Sequence, residues 1–240
     1  MGESKVKTGV VIAAAGSGTR MGMDINKQYL EIAGKPVLAR TIQAFENCGL
    51  IDEIIVIAAE HEVEYCRKEI VEKFGFRKVR DVAGGGEFRQ QSVYNGLMKV
   101  SPDCDIVLVH DGARPFVDSR CIADCIEAAR ETGAACVAVP VKDTIKRADN
   151  EGFVEGTIDR SFLWAMQTPQ AFRYDLILEA HRNAILEGYT GTDDAVLVER
   201  IGGRVKLVMG SYYNIKITTK EDLAIAEGIC AVTGQIVTTY

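Results

Sequence analysis

Residues 10–22 read VVIAAAGSGTRMG, an apolar run that passes directly into a loop rich in glycine. Valine, isoleucine and alanine without intervening polar residues are typical of a parallel strand that is buried on both faces. Similar runs recur at residues 54–58, 106–109 and 135–139, with helix-length amphipathic sequence between them. Strands that alternate with helices in this way predict an α/β fold with a doubly wound, mostly parallel sheet.

The rest of the sequence continues the alternation of strands and helices, except in one segment. Further strands are predicted at residues 78–82 and 204–208, and helices at residues 36–47, 62–74, 90–100, 119–131, 174–187, 193–200 and 220–232. Residues 142–163 break the alternation, because two half-apolar segments flank the polar turn ADNEG at 148–152. This pattern predicts a protruding β-hairpin arm, which is marginal in water alone and should pack on something else, such as a partner subunit. No repeat or linker divides the 240 residues, so we expect one domain, 1–240, with an arm at about 142–163.

Composition and charge narrow the classes of function. The chain is 47% hydrophobic and carries a formal net charge of -6, which argues against nucleic-acid binding and leaves nucleotides as small ligands. The first nine residues are polar, and the apolar run that follows is too short to span a bilayer, so we expect a cytoplasmic protein with no membrane segment. The seven cysteines and three histidines show no metal-binding spacing, so buried, reduced thiols are expected.

The loops that leave the buried strands are the first places to look for chemistry, because ligands of open α/β sheets bind outside the carboxyl ends of the strands. In the loop at residues 13–22, small residues let backbone N–H groups approach an anion, and Arg20 adds a fork of donors. The loop lacks the Gly-Lys-Ser/Thr of a Walker motif, and Met21 stands where a dinucleotide loop needs glycine. A simple tight turn is the alternative. Lys27 places a second cation nearby.

A second candidate ligand-binding loop, HDGARP at residues 110–115, follows an apolar strand. A carboxylate at this edge of a sheet suits a magnesium-nucleotide site, because Mg²⁺ prefers one or two carboxylates together with phosphates and water. Asp111 is therefore a candidate metal ligand. The alternative is that Asp111 caps the following turn and that Arg114 makes a surface ion pair.

A third loop, AGGGEFRQQS at residues 83–92, has three glycines that clear space for a flat ligand and expose main-chain groups to a base edge. Ser92 lies one turn into the helix that follows and can add a hydroxyl contact. An ordinary helical serine is the other interpretation.

Together these segments resemble the 2-C-methyl-D-erythritol 4-phosphate cytidylyltransferase family, from Val10 to about Glu227. The matching blocks are AAAGSGTRM at 13–21, KQY at 27–29, GG-x-x-R-x-x-SV at 85–93, VHDGARP at 109–115, DTIKR at 143–147, TIDRSFLW at 157–164, QTPQAF at 167–172, TDD at 192–194 and NIKI at 214–217. Gly112 and Phe88 depart from the more usual alanine and polar residue. The resemblance implies a Rossmann-like nucleotidyltransferase fold with a dimerisation arm.

It also implies a reaction in which a phosphate oxygen of methylerythritol phosphate attacks the α-phosphorus of CTP and pyrophosphate leaves. Such a step depends on positioning and charge neutralisation. The implied catalytic residues are Arg20 and Lys27, with Mg²⁺ near Asp111. The implied nucleotide-binding residues are Ala14, Ala15, Gly16, Gly18, Gly85, Gly86, Ser92 and Lys216. The implied substrate-binding residues are Asp111, Arg114, Thr144, Arg160, Thr192 and Lys216, with Thr144 and Arg160 supplied across a homodimer.

Several alternatives stay open. Thr144 and Arg160 could serve sheet pairing and a surface ion pair, and Thr192 could cap the next helix. A ribitol 5-phosphate cytidylyltransferase would share the nucleotide half, but the TIDRSFLW stretch favours methylerythritol phosphate. A catalytically silent nucleotide-binding protein would lack Arg20, Lys27 or Asp111, and all three are present. An NAD-dependent dehydrogenase would need a third glycine in the first loop and, about twenty residues on, an acidic residue after the second strand to bind the ribose. This sequence has neither at the expected position.

Overall fold

A seven-stranded sheet organises the residues that the computed structural model describes, 6–16 and 26–234. The strands are β1 (Thr8–Ala14), β2 (Glu31–Ile32), β3 (Lys35–Pro36), β4 (Glu53–Ala58), β5 (Val79–Gly84), β6 (Ile106–Asp111), β7 (Ala134–Pro140), β8 (Ile145–Ala148), β9 (Val154–Ile158), β10 (Trp164–Arg173) and β11 (Lys206–Met209). The α-helices are α1 (Val37–Glu46), α2 (Val63–Tyr65), α3 (Arg89–Leu97), α4 (Ser119–Thr132), α5 (Tyr174–Leu186), α6 (Ala195–Arg200) and α7 (Lys220–Thr233).

The sheet has the strand order β11-β7-β10-β6-β1-β4-β5. β1 lies near its centre and pairs in parallel with β4 and β6, while β10 runs antiparallel to both β6 and β7. The prediction of a doubly wound, mostly parallel sheet is confirmed. The antiparallel strand β10 was not predicted, because Gln167, Pro169 and Gln170 interrupt its apolar sequence.

The buried strands divide their side chains between two layers of helices. Val10 and Ile12 of β1 pack on one face in a cluster with residues of α1 and α4, whereas Val11 packs on the other face with residues of α3, α5 and α6. All three side chains are fully buried, which explains the uninterrupted apolar run at residues 10–15. All seven cysteines are buried and none forms a disulfide, as predicted.

Two predicted helices differ from the observed ones. The helix predicted at 62–74 is a succession of a 3₁₀ turn at Glu60–Glu62, α2 and a π-helical segment at Cys66–Glu72. The helix predicted at 193–200 begins at Ala195, with Asp194 at its N-cap position and the side chain of Asp193 accepting the N–H of Val196. No helix within 6–16 and 26–234 is both long and apolar enough to cross a membrane.

The predicted arm is present as β8 and β9, which among the described residues pair only with each other, as an antiparallel two-stranded sheet. Its side chains are largely exposed, including Phe153 at 68% and Phe162, just beyond β9, at 83%. That the arm packs on something else stays a prediction, which its exposed apolar side chains favour.

Candidate active site

A cavity of about 430 Å³ opens at the carboxyl edge of the sheet, beside the ends of β1 and β6 and the loop after β5. Its walls hold most of the predicted loop residues, namely Ala14, Ala15, Gly16, Lys27, Gly86, Ser92, Asp111 and Lys216. These residues come from five separate stretches of sequence. The carboxyl ends of parallel strands meet at one edge, which brings the stretches together.

The loop after β5 approaches the loop after β1 at a distance that only glycine permits. A Cβ atom at position 85 would lie 2.4 Å from the Cβ of Ala15 and 2.8 Å from the Oγ of Ser92. The Ser92 hydroxyl accepts a hydrogen bond from the N–H of Gly86 at 3.0 Å and donates one to the carbonyl of Phe88 at 3.1 Å. Ser92 is thus a helical residue that also fixes the shape of this loop.

Asp111 is the centre of charge in the cavity. Its Oδ1 accepts from Nε of Arg89 at 3.2 Å, its Oδ2 lies 2.8 Å from Nζ of Lys216, and Nε of Arg114 lies 3.6 Å from the same oxygen. Burial alone would raise the pKa of the Asp111 carboxyl, but Arg89, Lys216 and Arg114 lower it far below its usual value. The carboxylate is therefore ionised at neutral pH.

A buried hydrogen-bond chain fixes the backbone of Asp111. Its N–H donates to Oγ1 of Thr168 at 3.0 Å, and that hydroxyl lies 3.0 Å from Nδ1 of His110. Nε2 of His110 donates to the carbonyl of Arg114 at 3.1 Å, so Nδ1 is the acceptor of the neutral ring. Burial lowers the pKa of His110 to about 4, which keeps the imidazole neutral. His110 therefore has a structural role in this edge of the sheet.

Lys27 reaches the cavity from the 3₁₀ turn Lys27–Tyr29, which is tied to the end of β1. The buried side chain of Gln28 donates to the carbonyl of Ala14 at 2.8 Å and lies 3.3 Å from a carboxylate oxygen of Glu62. Asn26 and Tyr29 also donate to the Glu62 carboxylate. Glu62 therefore holds the turn that carries Lys27.

Gly18 and Arg20 lie outside the described residues, as does most of the loop predicted at 13–22. Thr144, Arg160 and Thr192 are exposed and do not line the cavity. Thr192 does not cap α6, because Asp194 occupies the N-cap position and Asp193 accepts the N–H of Val196 at 3.0 Å.

Arg114 is mostly buried, so its contact with Asp111 is not the surface ion pair considered from sequence. Only 12% of its side chain is exposed, and Nη1 donates to the carbonyl of Asn214 at 2.8 Å. This contact ties the loop after β6 to the segment that carries Lys216.

Two contributors to the site, Arg89 and Asp194, were not predicted from the sequence. Arg89 lines the cavity and bridges Asp111 to Asp194, whose carboxylate lies 2.7 Å from Nη1 of Arg89. Both residues stand inside matched sequence blocks, GG-x-x-R-x-x-SV and TDD. The sequence signal that could have identified them is the presence of a charged residue within each matched block.

The residues of the cavity can hold a metal ion only if phosphate groups and water supply most of its ligands. Within 6–16 and 26–234, no three side chains of His, Cys, Asp or Glu lie close enough to share a metal. Asp111 is one carboxylate whose two oxygens are already approached by cations. A Mg²⁺ ion bound mainly through nucleotide phosphates and water, with Asp111 as a single protein ligand, agrees with these residues.

Comparisons with known proteins point to one family. Residues 8–231 match the family described as IspD, 2-C-methyl-D-erythritol 4-phosphate cytidylyltransferase. Proteins of that name from Caldanaerobacter subterraneus subsp. tengcongensis and Pelotomaculum thermopropionicum are 56% and 51% identical to this chain; the alignments cover 90% and 93% of it and 96% and 94% of the relatives.

Two solved structures are similar along nearly their whole length. The 4-diphosphocytidyl-2C-methyl-D-erythritol synthase of Anaerococcus prevotii superposes with a TM-score of 0.84 at 34% identity, covering 95% of this chain and 97% of its own. The 2-C-methyl-D-erythritol 4-phosphate cytidylyltransferase of Thermus thermophilus gives a TM-score of 0.77 at 32% identity, with coverages of 92% and 98%.

Proposed function

Because this chain belongs to the 2-C-methyl-D-erythritol 4-phosphate cytidylyltransferase family, and is an enzyme of isoprenoid biosynthesis, we propose that the cavity beside Asp111 is its active site. The reaction joins CTP to 2-C-methyl-D-erythritol 4-phosphate and releases pyrophosphate. One observation carries the assignment: a loop of small residues, a fixed carboxylate and the cations Lys27, Arg89 and Lys216 surround one cavity. That set suits two phosphorylated substrates.

The triphosphate of CTP lies, in this proposal, against the backbone of Ala14, Ala15 and Gly16. A Cβ atom at position 16 would meet nothing within 4 Å, so the backbone there faces open space. Lys27 neutralises the negative charge on the oxygens around the α-phosphorus as the phosphate oxygen of methylerythritol phosphate bonds to it and the bond to pyrophosphate breaks. Gly18 and Arg20 belong to the same loop by sequence, and we expect Gly18 to contribute to nucleotide binding and Arg20 to catalysis, as the family resemblance implies. Mg²⁺ would neutralise triphosphate charge, with Asp111 as its protein ligand.

The cytosine base is read, in this proposal, by the loop after β5. A hydroxyl has one donor and two acceptor sites, and Ser92 already donates to Phe88 and accepts from Gly86. Its remaining acceptor site can receive the exocyclic amine of cytosine. Uracil presents a carbonyl at that position, so Ser92 would have to give up its bond to Phe88. The arrangement therefore favours CTP over UTP, with main-chain groups of Gly85 and Gly86 completing the contacts.

Methylerythritol phosphate binds, in this proposal, on the other side of Asp111. Lys216 and Arg114 provide positive charge next to the carboxylate, and the substrate hydroxyls can bond to Asp111. Thr192 does not line the cavity, so its contact with the substrate rests on the family resemblance alone. Thr144 and Arg160 stand on the arm, away from the cavity of their own chain. They can serve catalysis only if the arm of another subunit delivers them.

We propose a homodimer in which each arm packs on the partner subunit. The exposed aromatic rings of Phe153 and Phe162 support this, because rings at 68% and 83% exposure gain most from burial. Mixing Arg160→Ala subunits with Lys27→Ala subunits should restore part of the activity through shared sites. No recovery, in a mixture shown to exchange subunits, would contradict the sharing.

Seven reduced cysteines suit a cytoplasmic location, which we also propose.

Turnover with product analysis tests the assignment. We expect the protein to convert CTP and methylerythritol phosphate to 4-diphosphocytidyl-2-C-methyl-D-erythritol, with ribitol 5-phosphate a much poorer acceptor. The product is identified by mass, and pyrophosphate release gives the rate. A preference for ribitol 5-phosphate would overturn the choice of substrate, and CTP binding without turnover would overturn the enzymatic role.

A further inference from the structure

A chain of hydrogen-bonded side chains leads from the cavity into the interior between α3, α5 and α6. Arg89 of α3 donates from Nε to Asp111 at 3.2 Å and from Nη1 to Asp194 at 2.7 Å. The second oxygen of Asp194 lies 3.1 Å from Nε2 of His181 on α5. The side chains of Asp194 and His181 are 1% and 0% exposed, whereas Arg89 is 30% exposed at the cavity.

Asp194 is fixed from several directions without lining the cavity. Its N–H donates to Oε1 of Gln170 on β10 at 3.1 Å, and the same oxygen accepts the N–H of Ala195. Burial would raise the pKa of Asp194, but Arg89 and His181 keep it below its usual value, so the group is a carboxylate. A carboxylate so deeply buried is costly unless it is well paired, and its arginine partner, Arg89, is a residue of the cavity wall.

We propose that Asp194, held by His181, is a positioning residue that sets the direction of the Arg89 guanidinium and, through it, the Asp111 carboxylate. A guanidinium carries five N–H donors in a rigid plane, so Arg89 can bind both carboxylates and still contact a ligand in the cavity that it lines. Without the charge of Asp194, Arg89 pairs more fully with Asp111. That would draw Asp111 away from Lys216, which now lies 2.8 Å from it.

The inference rests on the proposed active site and names residues that act on it from outside. Asp194 is not expected to touch either substrate. Its effect passes through Arg89 alone, so removing Arg89 should abolish the effect of altering Asp194. A merely structural Asp194 would instead lower activity by the same factor whether or not Arg89 is present.

A double-mutant cycle on the full-length protein separates the two cases. Asp194→Asn, which keeps the shape of the side chain, should lower kcat/KM for CTP by about tenfold or more in the otherwise native protein, a loss of about 1.4 kcal/mol. In an Arg89→Met background the same change should cost less than about threefold. Equal factors in the two backgrounds would overturn the proposal.

A matched control guards against simple loss of stability. Glu53→Gln also neutralises a buried carboxylate paired with an arginine, since Glu53 lies 2.9 Å from Arg80, but Glu53 stands at the opposite edge of the sheet. It should lower the melting temperature and leave kcat/KM unchanged. A similar loss of kcat/KM in this control would overturn the positioning role.

A second variant decides the matter if Asp194→Asn fails to fold. His181→Phe keeps a ring beside Tyr94, whose ring is stacked on His181 at 5.9 Å, and removes the hydrogen bond to Asp194. We expect a severalfold loss of kcat/KM that disappears in the Arg89→Met background, and an equal loss in both would overturn the proposal. An inactive wild-type protein would contradict the proposed function itself, a result distinct from an active wild type with additive variants.

Discussion

Replacing Asp111 by asparagine should destabilise the protein in a pH-dependent way. The change keeps the size of the side chain and removes a buried charge that Lys216 approaches at 2.8 Å and Arg89 at 3.2 Å. Breaking a buried pair from one side costs about 3–5 kcal/mol, and the partial exposure of Lys216, at 37%, places the expected loss near the lower limit, at about 3 kcal/mol. For a chain of this length that corresponds to a fall in Tm of about 6–12 °C at pH 7.

The sign of the pH dependence follows from the lowered pKa of Asp111 in the folded state. In the unfolded chain the group titrates near a pKa of about 3.9, so its stabilisation is complete well above that pH and declines as the pH falls through it. Asparagine does not titrate. The difference in unfolding free energy between wild type and Asp111→Asn should therefore be largest at pH 7 and smaller by roughly 1 kcal/mol at pH 3.

Urea unfolding at the two pH values, followed by circular dichroism, measures this difference. Asp103→Asn is the control, because Asp103 makes an equally short contact of 2.7 Å with Lys7 at the exposed surface, where ion pairs contribute little. Its Tm should match the wild type. The reasoning is refuted if Asp111→Asn and the wild type have the same unfolding free energy at pH 7. It is also refuted if the difference in unfolding free energy between the two proteins is the same at both pH values.

Three further predictions address the site and the arm. Gly85→Ala should raise KM for CTP at least tenfold, because its Cβ would lie 2.4 Å from that of Ala15, whereas Gly49→Ala, where a Cβ meets nothing within 4 Å, should leave KM unchanged; equal KM values would contradict the close approach. Lys27→Ala should lower kcat far more than it weakens CTP binding measured by calorimetry, since its charge is needed most in the transition state, and an unchanged kcat would remove Lys27 from the catalytic set. Phe162→Glu should shift the protein from dimer to monomer in sedimentation velocity, because 83% of the ring is exposed within the chain; an unshifted dimer would place the interface elsewhere.

The fold could be predicted wherever a strand is buried on both faces, because burial there leaves a continuous apolar run. β1 and β4 are such strands, and their sequences indicate them directly. β10 could not be found this way. Its polar residues Gln167 and Gln170 are buried because they hydrogen bond to distant loops, at Ser211 and at residues 193–195. Such partners appear only once the chain is folded.

The candidate site could likewise be predicted only in part. The position of Asp111 and Lys27 beside one cavity could be predicted, because strand ends converge at one edge and both residues follow such ends. Arg89 and Asp194 could not be paired, since 105 positions separate them in the sequence. The roles of Thr144 and Arg160 stay predictions, because neither residue lines the cavity of its own chain.

The location of the active site is tested most directly by a crystal structure of the protein with CTP and methylerythritol phosphate. We predict cytosine beside Gly86 and Ser92, the triphosphate along the backbone of Ala14 to Gly16, and the methylerythritol phosphate next to Asp111 and Lys216. CTP bound in another cleft, with no contact to these residues, would contradict that location.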